Sequence, residues 1–135
     1  QNATKKKIIV TGHSLGAAIA TLFASRIKAD ELYTFGSPRV GNRTFVKTFT
    51  TPHWRFVNNN DVVTKVPPIP FYYHDGELKY ITSTGELLTL NWFQRLWDSI
   101  KGRFISLKNL KGFDGIRDHS ITDYKRHLHD ISSKM

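Results

Sequence analysis

A chain of 135 residues is long enough for one domain with a core of its own and too short to suggest two. It has no cysteine, which excludes disulfides and thiolate chemistry, and no apolar run near the roughly 18 residues that cross a bilayer. The formal charge of +9 invites a nucleic-acid reading, yet the basic residues are scattered, with small clusters at Lys5-Lys6-Lys7 and from Arg95 to Lys111. No nucleic-acid motif accompanies them, so nucleic acid is not an expected partner. A soluble surface, or a basic face towards anionic lipid, is the better use of this charge.

In chain order, Lys7 to Thr11 is short, continuous and β-branched, which predicts a buried parallel strand. Gly12-His13-Ser14-Leu15-Gly16 follows, and then a helix over Leu15 to Lys28 whose Ala17, Ala18, Ala20, Leu22, Phe23, Ala24 and Ile27 supply packing surface. Strand, G-x-S-x-G and helix together make a nucleophile elbow, with the serine at the tightest point of the turn. Gly12 and Gly16 are expected there because a Cβ at either would collide with the neighbouring strand or helix. The helix N-terminus faces the site, so the amide of Leu15 is free to donate to a developing oxyanion.

Glu31 to Phe35 predicts a second strand ended by Gly36-Ser37-Pro38, Gly41 to Phe49 a short helix, and Trp54 to Asn58 a third strand. Pro67-Pro68-Ile69-Pro70 is an extended linker. Phe71 to His74 and Leu78 to Ile81 flank Asp75-Gly76, which predicts a hairpin. From Leu90 to Phe104, aromatic and aliphatic residues recur at helical spacing opposite arginine and lysine, an amphipathic helix that either packs on the domain or lies at a lipid headgroup boundary. A loop at Gly112 to Asp118 then leads to His119 and a short polar helix ending near His129.

A serine at such an elbow needs an acid and then a histidine, in that order. Asp61 follows a strand at the carboxyl edge of the sheet, where sites of open α/β folds form. Asp30 lies on the opposite edge, and Asp75 lies in the expected hairpin turn, pointing to solvent. Of the histidines after Asp61, His127 and His129 sit on the polar terminal helix. His74 ends a strand beside the hairpin and suits packing or a structural hydrogen bond. His119, carried by a glycine-containing loop, is the best base candidate, and the choice among these residues stays open on spacing alone.

The run Ile9-Val10-Thr11-Gly12-His13-Ser14-Leu15-Gly16-Ala17-Ala18 resembles the class 3, fungal-type lipases. Tyr33 to Asn42, Phe56 to Val63 with Val66-Pro67-Pro68, Tyr73-His74 with Tyr80-Ile81, and Asp118-His119-Ser120 with Tyr124 resemble the family in the same order. The resemblance implies an α/β-hydrolase-like fold, a mostly parallel sheet with flanking helices. It implies Ser14 as nucleophile, Asp61 as orienting acid and His119 as base, with Leu15 the oxyanion donor expected from the elbow and no metal or cofactor expected. The implied substrate is a lipid (acylglycerol) ester, and the amphipathic stretch 90–104 adds an expectation of transient contact at a membrane or lipid interface.

The family places its first strands, its lid and one oxyanion donor before the elbow. Residues 1–135 are therefore expected to form a single but incomplete domain, lacking the N-terminal strands and lid and weakly active alone. The polar start, Gln1 to Lys7, carries no expected leader, and the compartment stays open although lack of cysteine leans towards the cell interior. The competing expectation is a catalytically inactive lipase-like fragment that binds lipid or protein.

Overall fold

The computed structural model describes residues 6–59, 61–82, 85–89 and 119–133. Within them the chain runs β1 (Ile9–His13), α1 (Leu15–Ile27), β2 (Glu31–Phe35), α2 (Arg43–Thr48) and β3 (His53–Asn58). A single 3-10 turn (Val63–Lys65), β4 (Glu77–Ile81), β5 (Leu87–Thr89) and α3 (Ile121–Ser132) follow. The strands form one sheet in the order β1-β2-β3-β4-β5. Its first three ladders are parallel and only β4–β5 is antiparallel.

Small residues set the distance between helix and sheet. Ala17, Ala20 and Ala24 of α1 are buried, and Ala20 and Ala24 form the core with Ala29 and Leu32, flanked by Val10 and Phe49. Because side chains alternate along a strand, Leu32 and Thr34 of β2 share one face while Tyr33 and Phe35 share the other. On that second face Tyr33 stacks on Trp54 at 5.0 Å and Phe35 on Phe56 at 4.9 Å, matching their places in the β2–β3 register. Tyr124 of α3 meets the Phe35 ring edge-on at 6.2 Å. Helices α1 and α3 thus cover opposite faces and converge at the carboxyl ends of β1, β2 and β3.

Several expectations need correction. The first strand lies at 9–13 rather than 7–11, because the ladder to β2 continues through Gly12 opposite Thr34 and His13 opposite Phe35. It is not buried either, since Ile9 is 55% exposed on a strand that pairs with β2 alone among the described residues. On α1 the alanines pack, whereas Leu22, Phe23 and Ile27 are exposed among the described residues.

The hairpin at Asp75-Gly76 does not form. β4 instead runs parallel to β3, from Trp54 opposite Glu77 to Asn58 opposite Ile81, and its antiparallel partner is β5. Pro67, Pro68 and Pro70 leave the preceding stretch short of ladder donors, and only an isolated bridge joins Tyr73 to Gly41. Gly76 keeps its positive φ of 83°, and a Cβ there would lie 2.6 Å from Cγ of His53. The amphipathic stretch 90–104 and the loop 112–118 lie outside the described residues.

Candidate active site

Ser14 joins β1 to α1 at φ 57°, ψ −130°, a conformation that a residue with a Cβ adopts only under strain. Its amide donates to the Phe35 carbonyl at 3.0 Å, and its own carbonyl accepts from Ala17 at 3.0 Å and Ala18 at 3.3 Å. The main chain is therefore held on both sides of the turn. The hydroxyl makes no helix-capping bond and is left for another partner. A Cβ on Gly12 would fall on the carbonyl of Gly16 and within 2.8 Å of Cα of Ala17, so Gly12 permits the helix to turn back onto the strand. Gly16 differs from expectation, because nothing described lies within 4 Å of a Cβ placed there.

The partner of the hydroxyl is His119, whose Nε2 stands 2.6 Å from Ser14 Oγ. Its Nδ1 lies 3.0 Å from both oxygens of Asp61, and with a carboxylate as sole acceptor this nitrogen carries the proton. Asp61 is wholly buried. Its Oδ2 accepts from the Tyr124 hydroxyl at 2.7 Å and its Oδ1 from the Val63 amide at 3.0 Å. The Tyr124 hydroxyl in turn accepts from the Asn58 amide at 2.9 Å, which ties the end of β3 to α3 through the acid. A carboxylate taken out of water needs such compensation, and here donors meet both oxygens.

Gly36 makes this arrangement possible. It stands at φ 57°, its amide donates to the Phe56 carbonyl, and a Cβ would lie 2.7 Å from Asp61 Oδ2 and 3.0 Å from His119 Nδ1. In the sequence Gly36 reads only as the end of a strand. His13 is a second residue without a sequence signal for its part. Its ring stacks on that of His119 at 4.8 Å, and its Nε2 donates to the His119 carbonyl at 2.8 Å. Leu15 is the first residue of α1, so its amide belongs to the donors that a helix leaves without an internal acceptor.

The other candidates stand elsewhere. Asp30 accepts from the Ile8 amide at 2.8 Å at the opposite end of β1. Asp75 does not point to solvent as expected: its Oδ2 lies 3.1 Å from Nδ1 of His53, whose Nε2 lies 2.8 Å from Thr34 Oγ1. This acid, imidazole and hydroxyl resemble a catalytic row, but Thr34 is wholly buried and cannot meet a substrate. They fasten β2 and β3 to the turn before β4. His74 donates from Nε2 to the Thr64 carbonyl at 2.7 Å, and burial, with Arg55 next in effect, holds its pKa well below the ordinary 6.5. His129 is exposed, and His127 is half-buried beside Gly85. No group of three or more metal-binding side chains occurs among the described residues.

Comparison with known proteins bears on this geometry. The family model described as Lipase (class 3) matches residues 1–71. The chain is 42% identical over 88 residues to a secreted mono- and diacylglycerol lipase 1 of Fusarium solani, covering 60% of the chain and 26% of that protein. It is 41% identical over 98 residues to the chloroplastic phospholipase A(1) DAD1 of Arabidopsis thaliana, covering 65% of the chain and 21% of that protein. Among solved structures it is similar to a lipase from Rhizopus microsporus var. chinensis, with TM-score 0.54 and 38% identity over 57% of this chain and 31% of that one. The mono- and diacylglycerol lipase from Aspergillus oryzae gives TM-score 0.57 and 34% identity over 64% and 38%. The chain spans roughly a quarter of the length of the curated relatives it matches. The mostly parallel sheet with its helices is that of the α/β-hydrolase fold.

Proposed function

The chain belongs to the class 3 lipase family, and from that premise we propose that it hydrolyses lipid esters of the acylglycerol type through an acyl-enzyme on Ser14. The observation that carries this reading is the unbroken hydrogen-bonded row from Ser14 Oγ through His119 to the buried Asp61. His119 takes the serine proton at Nε2 as Oγ attacks the ester carbonyl, and returns it to the departing alcohol. Asp61 holds the tautomer that leaves Nε2 unprotonated and stabilises the imidazolium once formed. The Leu15 amide donates to the oxyanion at the start of α1. Water, activated by the same imidazole, then releases the fatty acid.

Contact with a lipid interface belongs to the same proposal. Leu15, directly after the nucleophile, is 71% exposed, and Val62, directly after the acid, is 39% exposed. Val66, Ile69 and Phe71, on the stretch that follows, are exposed as well. Relatives named as mono- and diacylglycerol lipase and as phospholipase A(1) support an ester of a glycerolipid as substrate.

A fluorophosphonate probe tests the reading. It is expected to label the protein at Ser14, and Ser14→Ala is expected to abolish labelling. His119→Ala is expected to slow it on the order of ten-thousandfold. A folded chain that takes no label at Ser14, yet still binds lipid, would instead be an inactive binding module.

A further inference from the structure

Asp61 stands on no strand or helix. Its main chain lies in the short turn after β3, and its carboxylate is held by the Val63 amide of that turn as well as by Tyr124 of α3, so what fixes the turn fixes one side of the acid. The near end is held by β3, since the Asp61 amide donates to the Asn58 carbonyl at 2.9 Å. The far end is held differently. Thr64 is buried, and its hydroxyl donates to the Asp61 carbonyl at 2.8 Å. The Thr64 carbonyl accepts from Nε2 of His74, ten residues further along the chain. Main-chain bonds from Lys65 to Val62 and from Val66 to Val63 wind the turn between these anchors.

We propose that His74 is a positioning residue for the esterase reaction, acting on Asp61 through the buried Thr64. This rests on the assignment of Asp61 as the acid of the relay. A carbonyl is only an acceptor, so His74 must present Nε2–H to Thr64. Burial and the neighbouring Arg55 keep the imidazole neutral, and the carbonyl selects the tautomer with its proton on Nε2. The link is one of three short steps, from imidazole to carbonyl, from the same residue's hydroxyl to the acid's carbonyl, and from the acid to His119. Loss of the first step frees Thr64 to move, and displacement of the carboxylate by about 1 Å is enough to tilt the base away from Ser14 Oγ.

The test is made on the full chain, with acylation of Ser14 by a fluorophosphonate and hydrolysis of a short-chain nitrophenyl ester, both referred to the folded fraction. His74→Leu and Thr64→Val are each expected to lower acylation and kcat on the order of 10- to 100-fold with KM little changed. His74→Gln, which can place an amide N–H near the position of Nε2, is expected to recover most of that loss. The double variant His74→Leu/Thr64→Val is expected to fall no further than the worse single change, because both break one path. If His74→Leu does not fold, Thr64→Val and His74→Gln decide. Wild-type rates per folded molecule in Thr64→Val and in whichever His74 variants fold would overturn the proposal, as would Gln behaving no better than Leu. An unlabelled Ser14 in the wild type would bring down the parent reading, a result separate from these comparisons.

Discussion

Gly36 shows how much one hydrogen atom in place of a methyl can decide. Two constraints coincide there, a φ of 57° and a space already filled by Asp61 Oδ2 at 2.7 Å and His119 Nδ1 at 3.0 Å. Gly36→Ala must strain the backbone, at a cost of about 1–3 kcal/mol. It must also push the acid and the imidazole apart. The expected outcome is a modest loss of stability in urea titration and a fall in Ser14 acylation on the order of a hundredfold. Acylation at the wild-type rate would mean that the acid and base can shift without consequence. Tyr124 teaches the same lesson from another direction. Its hydroxyl donates to Asp61 and accepts from Asn58, yet on the terminal helix its sequence signal is that of an aromatic among polar residues.

At the scale of elements, α1 couples packing to the site because its first residue follows Ser14. Ala24 is wholly buried against Ala20, Ala29 and Leu32. Ala24→Leu is expected to cost about 1–3 kcal/mol through overpacking, read as a lower urea midpoint at unchanged slope. The strands and helices from β1 to β3 were legible because each is a run with its own periodicity, bounded by glycine or proline. The elbow was legible because strand, serine turn and helix are contiguous. The pairing of β4 was not, since Asp75-Gly76 is a local signal and the ladder it lost to, with β3, is non-local. Gly36 and His13 were silent for the same reason. What gives them a part is proximity to His119 across the fold, and no spacing along the chain encodes it. Order and position favour Asp61 and His119 as partners of Ser14 but leave other acids and histidines open, and the family resemblance is what selects them; the three stand in one hydrogen-bonded row.

For the whole molecule, one half-buried imidazole links folding to acidity. His74 has its pKa held well below 6.5 in the folded chain, by burial first and by Arg55 next. Unfolding returns it to water and to its ordinary value. Between the two values the unfolded chain binds a proton that the folded chain does not, so stability is full above about 6.5 and falls as the pH drops below it. The slope from this single group reaches at most about 1.4 kcal/mol per pH unit. Thermal unfolding measured from pH 7.5 down to 5 is expected to show a falling midpoint in the wild type and a flatter profile in His74→Gln. Parallel profiles would assign the acid sensitivity to other groups.

The strained turn at Ser14 also has a bearing on descent. At φ 57°, ψ −130° glycine would sit without penalty, whereas serine carries a cost of about 1–3 kcal/mol. Replacement by glycine would thus relieve that strain while removing the hydroxyl. Drift at this position runs thermodynamically towards inactivity. A lineage released from any demand for the hydroxyl would gain by losing it, and the serine persists only as long as that demand outweighs the strain.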